Sequence, residues 1–181
     1  MKALASPLPL LRRNTAAVIA VLLVAIGTLA ALRPAPAAAS TVASPSIATQ
    51  VLSALNYERT THGLVALRMN TKLVAAAHAH NLAMAASNTL SHQLPGEATF
   101  TARITKAGYV WGYAGENVGC TYDMTENGAL HLQSLMFHET PPNDYHRRNI
   151  LGIHYVDAGI DVVLDSTNGK LWVTEDLASP N

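Results

Sequence analysis

Eight histidines stand against only twelve carboxylates in this chain of 181 residues, and two of them occupy loops suited to chemistry. His92 lies in Leu90-Ser91-His92-Gln93-Leu94-Pro95-Gly96, after an alanine-rich segment. His146 lies in Pro141-Pro142-Asn143-Asp144-Tyr145-His146-Arg147-Arg148-Asn149-Ile150-Leu151. Between them comes Gly115-Glu116-Asn117, a carboxylate where a glycine frees the backbone, and Glu139 closes a helical stretch. Two neutral imidazoles with carboxylates nearby could hold Zn²⁺ or another divalent cation, with water completing an open site. The carboxylates could instead fix the ring tautomers from behind. A glutamate beside a metal-bound water is also the layout of metal-assisted hydrolysis, with Glu116 or Glu139 as general base. On composition alone all four are loop polars.

The other histidines offer less. His62 adjoins Gly63 in a loop and needs no role. His78 and His80 are two apart on a helix and point in different directions, so they cannot share a metal, and His80 reads as a packed histidine. His131 and His138 are two turns apart, and His154 reads as surface. There is no G-x-S-x-G, no phosphate-binding glycine loop and no complete H-E-x-x-H. The single cysteine, Cys120, excludes an intramolecular disulfide and reads as a small buried residue, with an intermolecular bridge as the alternative.

These residues need elements to carry them. Ile47, Val51 and Leu55 at four-residue spacing predict a helix ending at His62-Gly63. A second helix is predicted from Thr71 or Lys72 to Ser87, with Leu73, Ala76, Ala77, His80, Ala83 and Met84 on its packed face. Phe100–Ala107 reads as a short helix stopped by Gly108. Thr125–His138 reads as another, with Leu132, Leu135 and Met136 apolar and Pro141-Pro142 ending it. Strands are expected over Tyr155–Leu164 and Leu171–Leu177, joined by a turn at Asp165–Gly169, with a further short strand around Val118. Helices first and an antiparallel hairpin last make an α+β domain.

The net charge of zero conceals an asymmetry. Lys2, Arg12, Arg13 and Arg33 fall in the first 40 positions, and every acid lies beyond them. Residues 40–181 thus keep eight bases against twelve acids, a net charge of −4. That balance argues against nucleic-acid binding. A basic start, the apolar run 16–32 and Ala37-Ala38-Ala39 predict a signal peptide over residues 1–39, cleaved after Ala39. An uncleaved membrane anchor is the alternative, since the run is long enough to cross a bilayer. Either route puts the domain outside the cytoplasm, secreted in the first case. Residues 40–46 are expected to be a linker and 47–181 the domain.

Five segments in order now carry a resemblance. They are Leu55-Asn56-Tyr57-Glu58-Arg59 with His62-Gly63-Leu64, then Leu90-Ser91-His92, then Ala107-Gly108-Tyr109 with Gly115-Glu116-Asn117-Val118. Pro141 to Leu151 and Val156-Asp157-Ala158-Gly159-Ile160 complete the set. Together they resemble bacterial members of the CAP superfamily, which unites cysteine-rich secretory proteins, antigen 5 and plant pathogenesis-related group 1 proteins. The resemblance implies a three-layer α-β-α sandwich with a small antiparallel sheet, and a cleft lined by two histidines and two glutamates. By matching motif, these are His92, Glu116, His146 and, less directly, Glu139. It further implies binding more than turnover, with a lipid, glycan or protein at the cell surface as partner, and a monomer is expected. Three departures stand out. The disulfide-rich extension of animal members is missing, Met136-Phe137 stand where a tryptophan is common, and the last strand has an acid where glutamine is common.

Overall fold

Strand and helix periods separate the layers. In this computed structural model, residues 41–43 and 45–181 are described. The elements are β1 (Thr41–Ala43), α1 (Pro45–Thr61), β2 (Arg68–Met69), α2 (Thr71–Ser87) and α3 (Phe100–Lys106). Then come β3 (Trp111–Thr121), α4 (Glu126–Phe137), α5 (Tyr145–Ile150), β4 (Asp157–Asp165) and β5 (Lys170–Pro180). The strands form one sheet in the order β1-β4-β5-β3, antiparallel along that path, with two-residue β2 parallel to β4. The predicted leader lies outside the described residues. Among those described, no helix is long and apolar enough to cross a membrane.

Alternation along the strands sends side chains to two helical layers. Leu171, Val173 and Leu177 of β5 pack with Val51 and Leu55 of α1 and Met136 of α4. On the other face, Trp172 packs with Met84 of α2, while Ala178 meets Leu73 of α2 and Ile104 of α3. This is the expected α-β-α sandwich. α2 lies very close to β4: a Cβ on Gly159 would fall 2.2 Å from the Leu73 carbonyl carbon. The alanines of α2 permit that approach.

Most predicted elements form within a residue or two of the expected bounds, and several expectations need correction. The segment 40–46 is only partly a linker, since Thr41–Ala43 pair with Val163–Asp165 and α1 begins at Pro45. Leu135 is exposed on α4, where Gln133 takes an inward position beside Met136. Gly115-Glu116-Asn117 is not a loop but the buried middle of β3, an eleven-residue strand. His146 sits on α5, because Tyr145 to Ile150 winds into a short helix. In α2, Asn81 and Ala85 are buried while Ala83 is half-buried, and Cys120 is half-buried too. The hairpin turn is as expected: Asp165 accepts from the N–H groups of Thr167 and Asn168, and Gly169 takes positive φ.

Candidate functional site

β3 is the last strand of the sheet, so its two faces can each carry a polar group close to the molecular rim. Glu116 and Asn117 are consecutive and point to opposite faces. Glu116 turns toward α3 and the loop after α2. Its Oε1 lies 2.9 Å from His92 Nδ1, and its Oε2 accepts from Arg103 Nη2. The carboxylate is buried, whereas the His92 side chain is 58% exposed, so the ring is anchored inside and presented outside.

The loop that carries His92 starts where Asn88 takes a left-handed conformation and ends α2. It closes at Thr99, whose hydroxyl caps α3 by accepting from Ala102 N–H. Arg103 ties the loop down by donating to the carbonyls of His92 and Ala98, both at 3.0 Å. Within the loop, Glu97 accepts from Leu94 N–H at 3.0 Å and faces buried His80 at 2.7 Å. Burial works to raise the Glu97 carboxyl, but Leu94 N–H, His80 and Arg103 outweigh it and hold it below its ordinary value.

The second pair lies beyond α4. His146 is the second residue of α5, where a helix has N–H groups without helical partners. Asp144, at the cap position, makes no side-chain capping bond. Glu139 does that work: Oε2 accepts from His146 N–H at 2.9 Å, and Oε1 meets His146 Nδ1 at 2.5 Å. One carboxylate thus satisfies both the helix end and the ring.

Two asparagines link the pairs. Asn149 on α5 donates to the Glu116 carbonyl at 3.1 Å and to Asn117 Oδ1 at 2.9 Å. Asn117 donates to Glu175 Oε2 at 2.9 Å and to the His146 carbonyl at 3.4 Å. Gly115 leaves the room this needs, since a Cβ there would come within 2.5 Å of the Tyr155 hydroxyl and 3.0 Å of Asn149 Oδ1. Below lie two buried acids of β5. Burial pushes Glu175 up to about 7, with Asn117 pulling the other way. Asp176 is raised well above its ordinary value, by burial first and then by the charge of Glu116.

All four residues singled out from the sequence thus fall in this region, each histidine with one glutamate: His92 with Glu116, His146 with Glu139. Among the described residues, no hydrogen bond joins one pair's side chains to the other's, and no three His, Cys, Asp or Glu side chains gather as a metal-holding group. The donor chemistry still suits a divalent cation. Each ring is held at Nδ1 by a carboxylate, which leaves Nε2, the atom a metal would take. Either imidazole would need water to complete a coordination shell. Both oxygens of each glutamate are engaged.

Arg103, Glu97, Asn149 and the acids of β5 were not legible as parts of the site. Asn149 had the best signal, three residues after His146 in His-Arg-Arg-Asn and so on the same helical face. Of the remaining histidines, His78 pairs with Asp161, and exposed His154 stacks on Tyr113.

No curated protein matches the chain. Solved structures share the fold. One is an extracellular protein with an SCP domain from Bacillus anthracis, at 22% identity and TM-score 0.62, covering 74% of this chain and 40% of its own. An outer surface protein of Borrelia burgdorferi gives 13% identity and TM-score 0.67, covering 79% of this chain and 99% of its own. A cysteine-rich secretory protein of Staphylococcus aureus gives 22% and 0.53, covering 74% and 39%. The chain therefore spans about two fifths of the Bacillus and Staphylococcus proteins. Residues 52–176 match the family model of CAP, the cysteine-rich secretory protein family, and the chain belongs to that family.

Proposed function

We propose that this chain is an extracytoplasmic binding module. In this reading its two histidines offer Nε2 to a divalent cation of the Zn²⁺ type, and its surface engages a lipid, glycan or protein. The observation that supports the reading is that His92 and His146 are both held at Nδ1 by a glutamate, at 2.9 and 2.5 Å. That orientation fixes which ring nitrogen is available. The similar Bacillus and Borrelia proteins are described as extracellular and outer-surface proteins, in keeping with the basic, then apolar leader of this chain. The unit acts as a monomer, without nucleic acid.

Zinc titrated into the full chain is expected to raise its melting temperature, with about 3 kcal/mol of stabilisation at a hundredfold excess over Kd. A His92→Ala, His146→Ala double variant should lose the shift. No shift in the unsubstituted protein sinks the metal part. Turnover of casein or cell-wall fragments that collapses in Glu116→Gln, with the fold retained, would replace binding by hydrolysis.

A further inference from the structure

His80 on α2 is fully buried, yet both of its ring nitrogens meet oxygen: Nδ1 lies 2.7 Å from Glu97 Oε1 and Nε2 lies 2.8 Å from the Ser91 carbonyl. A peptide carbonyl only accepts, so Nε2 carries a hydrogen. A bare ring lone pair would repel a carboxylate oxygen at 2.7 Å, so a hydrogen lies in that contact as well. Glu97 has the surroundings of a carboxylate anion, with Leu94 N–H at 3.0 Å and Arg103 Nη1 at 3.6 Å. We propose that His80 is carried as an imidazolium, a buried cation that positions the loop bearing His92. An ion pair away from water gains little net stability, but it fixes geometry, because losing either partner leaves the other charge unpaired.

The loop is wrapped around this ring. Ser91, next to His92, is held by its carbonyl. Leu94 is held by its N–H through Glu97, and the Gln93 side chain donates to the Glu97 carbonyl at 2.8 Å. The charged groups facing the pair are Arg103 from α3, with Glu116 of β3 bound to its far side, and Asp176 of β5 opposite Glu116. Lys106 of α3 lines the same cavity of about 390 Å³ as Glu97 and Arg103. On α2 itself, His78 is already paired with Asp161 of β4. A ring with both hydrogens holds Ser91 and Glu97 together. A ring with one hydrogen can hold only one of them, so both hydrogens are needed to fix the loop that bears His92.

The proposal takes the His92 site as read above but is tested at His80, so a failure of zinc to bind leaves it standing. In long-range ¹H–¹⁵N spectra of the labelled full chain near neutral pH, both His80 ring nitrogens should carry hydrogen with imidazolium shifts. The amides of residues 91–94, 96 and 97 should follow the ring when it is titrated. In Glu97→Gln, the amide oxygen can keep Leu94 N–H while the amide nitrogen donates to Nδ1. That variant should lose the Nδ1 hydrogen, keep Nε2–H on Ser91, and no longer show the shared titration. A wild-type ring with one hydrogen, the second residing on Glu97, overturns the proposal, as do loop amides indifferent to the ring. The wild-type spectrum decides this even if Glu97→Gln does not fold.

Discussion

Glu116 and Asp176 face each other across the β3–β5 ladder, two buried carboxylates on one face of the sheet. Glu116 is engaged by His92 and Arg103, while Asp176 Oδ1 has no hydrogen-bond partner. Burial and the charge of Glu116 keep the Asp176 carboxyl protonated far above its ordinary range, against the pull of Arg103. Its contribution to stability is fully present below the ordinary carboxylate range and is lost as pH rises through its folded pKa. Asp176→Asn preserves shape and removes that titration. The variant should match the parent in acid and exceed it at alkaline pH, by about 1–3 kcal/mol. Urea unfolding across the pH range measures the difference, and parallel profiles would show that Asp176 titrates normally.

Glu175, one residue earlier, points to the other face. Oε2 accepts from Asn117, and Oε1 is buried without a partner. Its carboxyl is raised from 4.5 to about 7, so the sign is the same: stability falls between those pH values as the folded state holds a proton that the unfolded chain has released. Glu175→Gln should remove that fall, a difference of roughly 3 kcal/mol at most by neutral pH. Thermal melts in acid and at neutral pH should show the variant's advantage growing. A constant offset would place the effect in packing.

Arg59 is fully buried and donates to four main-chain carbonyls, those of Val65, Ile150, Gly152 and Tyr155. It joins α1 to the segment between α5 and β4. Arg59→Ala leaves these acceptors without donors and should cost about 3 kcal/mol or more. Arg59→Lys keeps the charge but lacks the planar fork, and is expected to recover only part of the loss. Full recovery in denaturant titrations would assign the role to charge alone.

Gly159 of β4 lies directly against α2, with the Leu73 main chain where a Cβ would stand. Gly159→Ala must push α2 off β4 and should destabilise by about 1–3 kcal/mol. The shift would reach the alanine-walled cavity and the His80 loop. Differential scanning calorimetry, with the His80 ring signals as local reporter, checks both.

Legibility followed the range of the forces involved. α1, α2, α3 and α4 could be read because apolar spacing, caps and stop signals act within a few residues. Thr99 and Thr125 each cap through their own side chains. The strand around Val118 could be read, but not its reach over Glu116 and Asn117, which look like loop polars until Arg103, Asn149 and Glu175 are beside them. α5 escaped for a similar reason. Its N-terminal partner is Glu139, outside the helix; likewise on α4 apolar Leu135 is exposed while Gln133 is buried, because its partner Glu58 stands on α1.

The amino-acid sequence by itself determined the family motifs and the acidic composition of the domain, for which residue type and order suffice; through those motifs it pointed to His92, Glu116, Glu139 and His146. Only the tertiary structure decided which glutamate serves which histidine, one 24 residues away and the other 7. It also decided that both rings are gripped at Nδ1, and that buried His80 meets Glu97 and the Ser91 carbonyl. The reason is physical. A hydrogen-bond partner is chosen by strand alternation and β3–β5 register, which put Glu116 on one face and Asn117 on the other, and neither is set within a local stretch of chain.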